Sequence, residues 1–539
     1  MKPENLSVKT KIAQVKLQCH RLQWTLNEVA GYPHPTTVKG WLELAAPVLC
    51  FKKMLDSIKE PQDLVRHSKI TQLHNSTPVT RLLTEGVFTL PIQGELATLI
   101  DYGLNVDSKL QIADYLYRQL HLPVQFKKEK GRLTDKETTD ALALLTLYAK
   151  TLDSTLRLIL VLRAQRTRLE TLTVKHDSDG RIRCGYNVVG SETGRLTCYK
   201  SPTGSGFNLQ TVSFQDRDLF VADSGYWMFQ CDLNGADGWT VAAHCAACGD
   251  RTMLDDMSAG IKIYKVIALF SLYGNKVAAW SRGDILHATQ TANIPPWLSF
   301  ACKRVFHGGN YGMGTTTMAA QILQDSYKKS GVPVVVSPQT CAELLQYKNT
   351  RWPGVLTWHA KIKQQLLTKG YLVAASGHQR TFFGRKDDHS TFKDACADEP
   401  QANTTYVTNL ALMRLWTDPE NRLLYDHTKD DNPRVGLISG PVRVASRPPN
   451  SLFNHPVSTE TGTSREGSQC PSRITLRIQP LHQVHDALIG QFRQADTDWA
   501  RERIRTYFCN PITIAGHTIT IPYEGGYGPS WGELKEGTL

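Results

Sequence analysis

The sequence predicts an α/β (α+β) chain of several lobes, and three observations carry that expectation. Apolar residues recur at three- and four-residue spacing through two long tracts, Asp107 to Leu172 and residues 255–370, as amphipathic helices require. Short apolar runs such as Tyr226 to Leu233 and His485 to Phe492 read instead as strands. The chain has 539 residues, 41% of them hydrophobic and 21% charged, which at roughly 150 residues per domain makes three or four units with buried cores. That composition excludes global disorder, a collagen-like repeat and a disulfide-stapled miniprotein.

In chain order, residues 1–80 are mixed and basic, with a helical stretch from Ile12 to Val29 and no recognisable chemistry. The first helical tract is marked by Leu110, Ala113 and Leu116, then Leu142, Leu145 and Tyr148, then Leu152, Leu156, Ile159 and Leu162. Thr134 and Glu137 have the spacing of a capping box that opens a helix there. Between Arg181 and Phe214 the texture changes to short strands and loop, including SPTGSG at Ser201 to Gly206. The strand expected over Tyr226 to Leu233 runs into NGADGW, and an Ala-rich helix is expected from near Thr240. Loops in the second helical tract are marked by Gly283, Pro295–Pro296 and Pro353–Gly354, and Tyr371 to Phe383 has the form of a hairpin. Asp430 to Arg473 is rich in Pro, Ser and Thr without a period and reads as a flexible insertion. A strand pair, Ile474 to Ile478 and His485 to Phe492, follows it, and no internal repeat is visible.

Lys and Arg number 62 against 50 Asp and Glu, a net charge of +12, with a pI near 9.0. Such an excess fits a polyanionic partner. The 12 cysteines are scattered and the N-terminus MKPENLSVKTKIAQ is polar, so a reducing cytoplasm is the expected compartment. The greasiest run, Leu42 to Phe51, is interrupted by Glu43 and Pro47 and is too short to span a bilayer, so no membrane residence is expected.

Three separated segments offer groups suited to a polyphosphate–metal reaction. In FQCDLNGADGW, Asp232 ends an apolar strand and Asp237 follows five residues later. A carboxylate at a strand end is a pre-aimed hard oxygen ligand, although a lone Asp is more often a helix cap or turn residue. In CKRVFHGGNYGMG, Lys303, His307 and Tyr311 are four apart and share one face of a helix. The flanking glycines, Gly308, Gly309 and Gly312, would each weaken that helix by roughly 1 kcal/mol. They imply either a ligand close to the backbone or a tight helix–helix contact. In LHQVHDALI, His485 and Asp486 form a polar pair inside an apolar run; they are either a buried hydrogen-bonded couple or a site.

Taken in order, Asp232, the Lys303 helix and His485–Asp486 resemble motifs A, B and C of the family A (polymerase I-like) DNA polymerases. SETGRLTCYKSPTGSGFNLQTV is similar to the TGRL…NLQ segment of that family, and LNVDSKLQIADYLYRQLHLP to its thumb signature. GYLVAASGHQRTFFGR resembles its fingers-to-palm hairpin, EPQANTTYVTN its palm helix, and GYGPSWGE the closing segment of phage members. The resemblance covers roughly residues 100–539 and implies a right-hand palm/fingers/thumb fold. In it an antiparallel or mixed palm sheet is joined to mainly helical fingers and thumb. The implied division is a thumb over 85–175, palm over 180–250, fingers over 251–370 and the rest of the palm over 371–539. The insertion at 430–473 falls in that last part, and 1–80 has no assigned role.

The resemblance implies template-directed 5′→3′ DNA synthesis from a primer, by two-metal nucleotidyl transfer from dNTPs, in a phage or phage-derived replication system. Asp232 and Asp486 would bridge two Mg²⁺ ions, with Mn²⁺ as a substitute and the Leu233 carbonyl as a further ligand. Lys303 would contact the triphosphate, and His307, Tyr311, Asp237 and Tyr264 would complete the nucleotide site. Asp237 falls where the family carries a glutamate that blocks the ribose 2′-OH. Arg195, Asn208, Gln210, Gln401 and His485 would line the primer–template, where minor-groove acceptors shared by all base pairs let donors check fit without reading sequence. The implied partners are primer–template DNA and dNTPs, with no processivity factor identifiable.

This sequence departs from the family pattern in several places. Ser299 stands where a fingers arginine is expected, Tyr264 where a histidine is expected, and Ala487 where motif C has a second acid. Asp237 is one methylene shorter than the family's glutamate. The rival readings are therefore a catalytically inactive DNA-binding accessory subunit, a polymerase with relaxed sugar selectivity, and an RNA polymerase of the same superfamily, which the Asp237 carboxylate speaks against. Asp135–Lys136–Glu137 imitates an exonuclease motif in a polar setting, so no proofreading domain is expected. Cys245 and Cys248 have no second pair at zinc-finger spacing and read as buried small residues.

Overall fold

A computed structural model describes residues 3–30, 104–129, 132–174, 176–177, 179–201, 206–424 and 474–539. The insertion expected at 430–473, most of residues 1–80 and the middle of the SPTGSG loop lie outside the described residues.

Helix α1 (Pro3–Val29) packs on α3 (Ser154–Leu172), which in turn packs on α2 (Ala141–Thr151). Val15, Cys19 and Leu26 of α1 are buried with Leu116, Leu144, Leu156 and Ile159, so the N-terminal helix shares the core of the first helical tract. Asp140 caps α2 by accepting from the Ala143 amide at 2.9 Å, and Asp153 caps α3 through the Thr155 amide at 2.7 Å. A hairpin, Phe126–Glu129 with Arg132–Glu137, interrupts the tract. Thr134 and Glu137 are therefore strand residues and not a capping box. The Thr134 hydroxyl bonds across the hairpin to the Lys127 carbonyl at 2.8 Å, and Asp140 takes the capping role instead. Buried Asp216 fastens this cluster to the rest: the Arg168 guanidinium of α3 donates to it at 2.5 and 2.9 Å, and Lys11 of α1 lies 3.9 Å away.

The sheet is antiparallel throughout. Its strands are β1 (Tyr226–Leu233), β2 (Ile478–Val484), β3 (Ala487–Arg493), β4 (Tyr523–Gly528) and β5 (Lys535–Glu536), in the order β2-β3-β1-β4-β5. Side chains alternate across β1. Phe229, Cys231 and Leu233 enter the large helical core, while Met228 joins Ile489, Trp531, Leu209 and Val212 on the opposite face. Asp232 belongs to this second face, at the end of the strand. Directly after β1 the chain turns through Gly235 at φ +65° into α4 (Ala236–Ala247), whose small residues are buried on nearly every side. The helix starts four residues before Thr240.

Helices α5 (Ile263–Tyr273), α6 (Pro296–Asn310) and α7 (Pro338–Arg351) pack into one cluster that continues the core under β1. Fully buried Asp256 ties part of it together: Arg351 donates at 2.9 Å, the Trp352 indole at 3.0 Å and Arg282 at 3.1 Å. A carboxylate removed from water in this way is held by pairing on several sides. A short hairpin, Tyr371–Val373 with Gln379–Thr381, leads into the long α8 (His389–Thr417), which lies against α4. Among the described residues no helix is long and apolar enough to cross a membrane.

Candidate active site

Asp232 and Asp486 meet at one end of the sheet. The β2–β3 hairpin pairs Val484 with Ala487, so His485 and Asp486 are its two turn residues, not strand residues as the sequence suggested. His485 takes φ +53°, the left-handed conformation that a two-residue hairpin turn imposes and that glycine usually fills. Ala487 is the cross-strand partner of Asp232, and the Leu233 amide donates to the Asp486 carbonyl at 3.3 Å. Burial pushes the Asp232 carboxyl up to about 6, with Asp486 and Glu524 adding to the rise and Arg217 opposing it. Burial also raises Asp486, as does Asp237, while Arg195 and His485 hold it down. The two carboxylates thus share a partly desolvated acidic corner flanked by cations.

Across from this corner stands α6. Lys303 is exposed on it; partial desolvation lowers its pKa first, followed by the neighbouring cations Lys329 and Arg304, while Glu524 acts in the opposite sense. Arg304 turns aside to Asp325 at 3.3 Å. Burial lowers the His307 imidazole, with Asp237 pulling against it. The Tyr311 phenol, one residue beyond α6, donates to Asp237 Oδ2, and the Thr404 hydroxyl of α8 donates to Asp237 Oδ1 at 3.1 Å. Gln401 lies within bonding reach of the same phenol, and Arg195 is near it. The glycines serve a protein contact: a Cβ on Gly309 would come within 2.6 Å of Leu345 and 3.2 Å of Lys348, both on α7. Of the two readings left open by the sequence, the helix–helix contact accounts for Gly309.

Not every candidate residue reaches this corner. Asn208 accepts from the Gln210 amide at 3.0 Å and so caps its own turn. The Gln210 side chain donates to the Leu196 carbonyl at 3.0 Å and the Gln483 carbonyl at 3.1 Å, bracing the Arg195 segment against β2. Tyr264, on α5, is half-buried against the large core, and none of the contacts above reaches it. Arg195 does reach the corner, and its Nε is buried without a hydrogen-bond partner. Cys245 is fully buried, and both it and Cys248 are free thiols. Three residues were missed from the sequence. Glu524 is the cross-strand partner of Asp232 on β4 and accepts from the Asn234 amide group. Arg217 sits near Asp232, and Thr404 binds Asp237. No local pattern marks any of them, because each acts on a residue distant in sequence.

The donor chemistry fits a hard dication. Asp232 and Asp486 offer carboxylate oxygens at one strand end, and the Leu233 carbonyl is the further oxygen that the sequence reading would add. Among the described residues no group of three or more His, Cys, Asp or Glu side chains is placed to hold a metal. Two carboxylates, with phosphates and water completing the shell, is how Mg²⁺ is ordinarily bound in phosphoryl-transfer sites. Two carboxylates, both raised by burial and one raised further by the other, also present the negative charge that a bound cation neutralises.

The model of DNA polymerase family A matches residues 90–405. DNA polymerase I of Treponema pallidum (strain Nichols) is 22% identical over 450 residues, covering 82% of this chain and 36% of that protein. The DNA polymerase of Escherichia phage T5 is 25% identical over 312 residues, covering 55% of this chain and 34% of that one. The chain thus spans about a third of the length of these curated relatives. Among solved structures, the POL domain of Pol1 from M. smegmatis in complex with DNA primer-template and dNTP covers 95% of this chain and 69% of its own, with a TM-score of 0.56 and 18% identity. At that identity the likeness is one of fold: the right-hand polymerase architecture.

Proposed function

Since the chain belongs to DNA polymerase family A, we propose that it extends a DNA primer on a template by nucleotidyl transfer from dNTPs. The observation that carries this is the meeting of Asp232 and Asp486 at one end of the sheet, with Lys303 of α6 within electrostatic reach of Glu524, the cross-strand partner of Asp232. Asp232, Asp486 and the Leu233 carbonyl would hold two Mg²⁺ ions, or Mn²⁺ in their place. When bound, such ions favour the primer 3′-oxyanion and neutralise charge on the triphosphate and the leaving pyrophosphate.

The chain's own groups do the rest. The Lys303 ammonium donates to the triphosphate, where a cation stabilises charge that grows on transfer. His307, its pKa lowered by burial, presents a neutral ring beside Lys303. Asp237, tethered to Tyr311 and Thr404, faces the sugar and excludes a 2′-hydroxyl. Arg195, His485 and Gln401 face the primer–template end, with Arg195 offering an unspent donor. Gln210 and Asn208 keep that segment in place. The net charge of +12 favours the DNA electrostatically, so affinity should fall steeply with salt.

Primer extension on a defined template with Mg²⁺ tests this, comparing wild type with Asp232→Asn and Asp486→Asn, with dNTPs or rNTPs in separate reactions. Extension with dNTPs that both substitutions abolish, in variants that melt like wild type, supports the reading. Retained primer–template binding with no extension by wild type would instead make the chain an accessory DNA-binding subunit. Equal extension with rNTPs would overturn the role given to Asp237.

A further inference from the structure

Asp237 is gripped from two different segments, one at the end of α6 and one on α8. Tyr311, which donates to Oδ2, directly follows α6, whereas Thr404, which donates to Oδ1 at 3.1 Å, sits inside α8 and is 1% exposed. The two donors occupy both oxygens. This matters because the terminal torsion of an aspartate is broad and nearly two-fold, so an untethered carboxylate turns freely. A free carboxylate is also a strong acceptor. Turned toward an incoming nucleotide, it would accept a hydrogen bond from a ribose 2′-hydroxyl and so favour the sugar it is meant to reject.

We propose that Thr404 is a positioning residue for sugar selection: its hydroxyl holds the Asp237 carboxylate so that its bulk, and not an unengaged oxygen, faces the 2′ position. The inference rests on the reading of Asp237 as the sugar-facing residue. Thr404 is suited to the task because α8 packs along α4, the helix that carries Asp237. The bond therefore joins two elements of one packed body and does not depend on the position of α6. Buried Thr405 and Thr408 lie on the same helix, and the Thr408 hydroxyl bonds to the Thr404 carbonyl at 3.3 Å, so the backbone at 404 is itself held.

The test uses the full chain with Thr404→Val, which keeps the shape and removes the hydroxyl, Thr404→Ser, which restores a donor, and Asp237→Ala. Two quantities are read: the ratio of kcat/KM for dNTP over rNTP, and the equilibrium affinity of each nucleotide for a complex with dideoxy-terminated primer–template. Thr404→Val should lower discrimination about tenfold, the scale of one hydrogen bond to a charged group. The change should come from tighter rNTP binding, and Thr404→Ser should largely restore discrimination. Thr404→Cys, which keeps the volume with a weak donor, serves if the valine variant does not fold, and should also relax selectivity. Wild-type discrimination in the folded valine or cysteine variant, alongside relaxed discrimination in Asp237→Ala, overturns the inference alone. Unchanged discrimination in Asp237→Ala overturns the sugar-facing reading and the inference together.

Discussion

The two sides of the acidic corner, a sheet wall and a helical wall, hold their charges by opposite means. On the sheet wall, Asp232 and Asp486 are fixed by backbone: one ends a central strand, the other sits in a two-residue turn, and their chains are joined by the Leu233 amide. Both carboxyls are raised by burial before anything binds. On the helical wall, Lys303 extends from α6 into solvent, with its position set by one side chain's rotamers. The acids are thus preorganised and poorly solvated, awaiting a cation. The lysine is exposed at its side chain and only partly desolvated. A fixed charge contributes most where the reaction geometry must not change, and a mobile one where substrate enters and leaves.

That contrast predicts different losses. On the proposed function, Asp486→Asn removes a preorganised charge from the wall that would hold the metal ions. It should cost at least about a thousandfold in kcat, the upper range for a single electrostatic partner, with primer–template affinity nearly retained. Lys303→Ala should cost less, about a hundredfold in kcat/KM, and a large part of it should appear as a higher KM for the nucleotide. Steady-state kinetics over a range of dNTP concentrations separates the two. If Lys303→Ala lowers kcat alone and as severely as Asp486→Asn, the helical wall is as rigid in its function as the sheet wall, and the distinction fails.

The same contrast explains what the sequence made legible. β1 was read to its ends, Tyr226 to Leu233, because an apolar run stopped by Asp232 and turn residues has few other solutions. The Lys303 stripe was visible because helical spacing alone places those side chains together. The hairpin of Phe126–Glu129 with Arg132–Glu137 is not legible because Lys127, Lys128, Lys136 and Glu137 are exposed and the segment shows no alternation of apolar residues. The His485–Asp486 turn was read as strand because it lacks the glycine or asparagine that announces such turns. Glu524, Thr404 and the packing of α1 on α3 depend on contacts between distant segments, which no local pattern encodes. Of the candidate residues, Asn208 and Gln210 are legible as a segment, but the hydrogen bonds of their side chains to the backbone around them are not.

A third charge, behind the helical wall, sharpens the comparison from the side of stability. Lys348 of α7 is fully buried, its Nζ has no hydrogen-bond partner, and its stem lies against α6 where Gly309 leaves room. Burial pulls its pKa from 10.5 down to about 8. Near neutral pH the ammonium is therefore charged both folded and unfolded, and the fold carries the full cost of desolvating it. Between about 8 and 10.5 the unfolded chain binds the proton more tightly than the folded one, so stability rises with pH across that window as the penalty disappears. Lys348→Met keeps the length and discards the charge, and should raise stability near pH 7 by about 1–3 kcal/mol, with a gain that shrinks toward about pH 10. Thermal unfolding of both proteins at the two pH values measures it. A methionine variant that is less stable at neutral pH would mean that the ammonium is paired in solution, unlike the acids of the sheet wall.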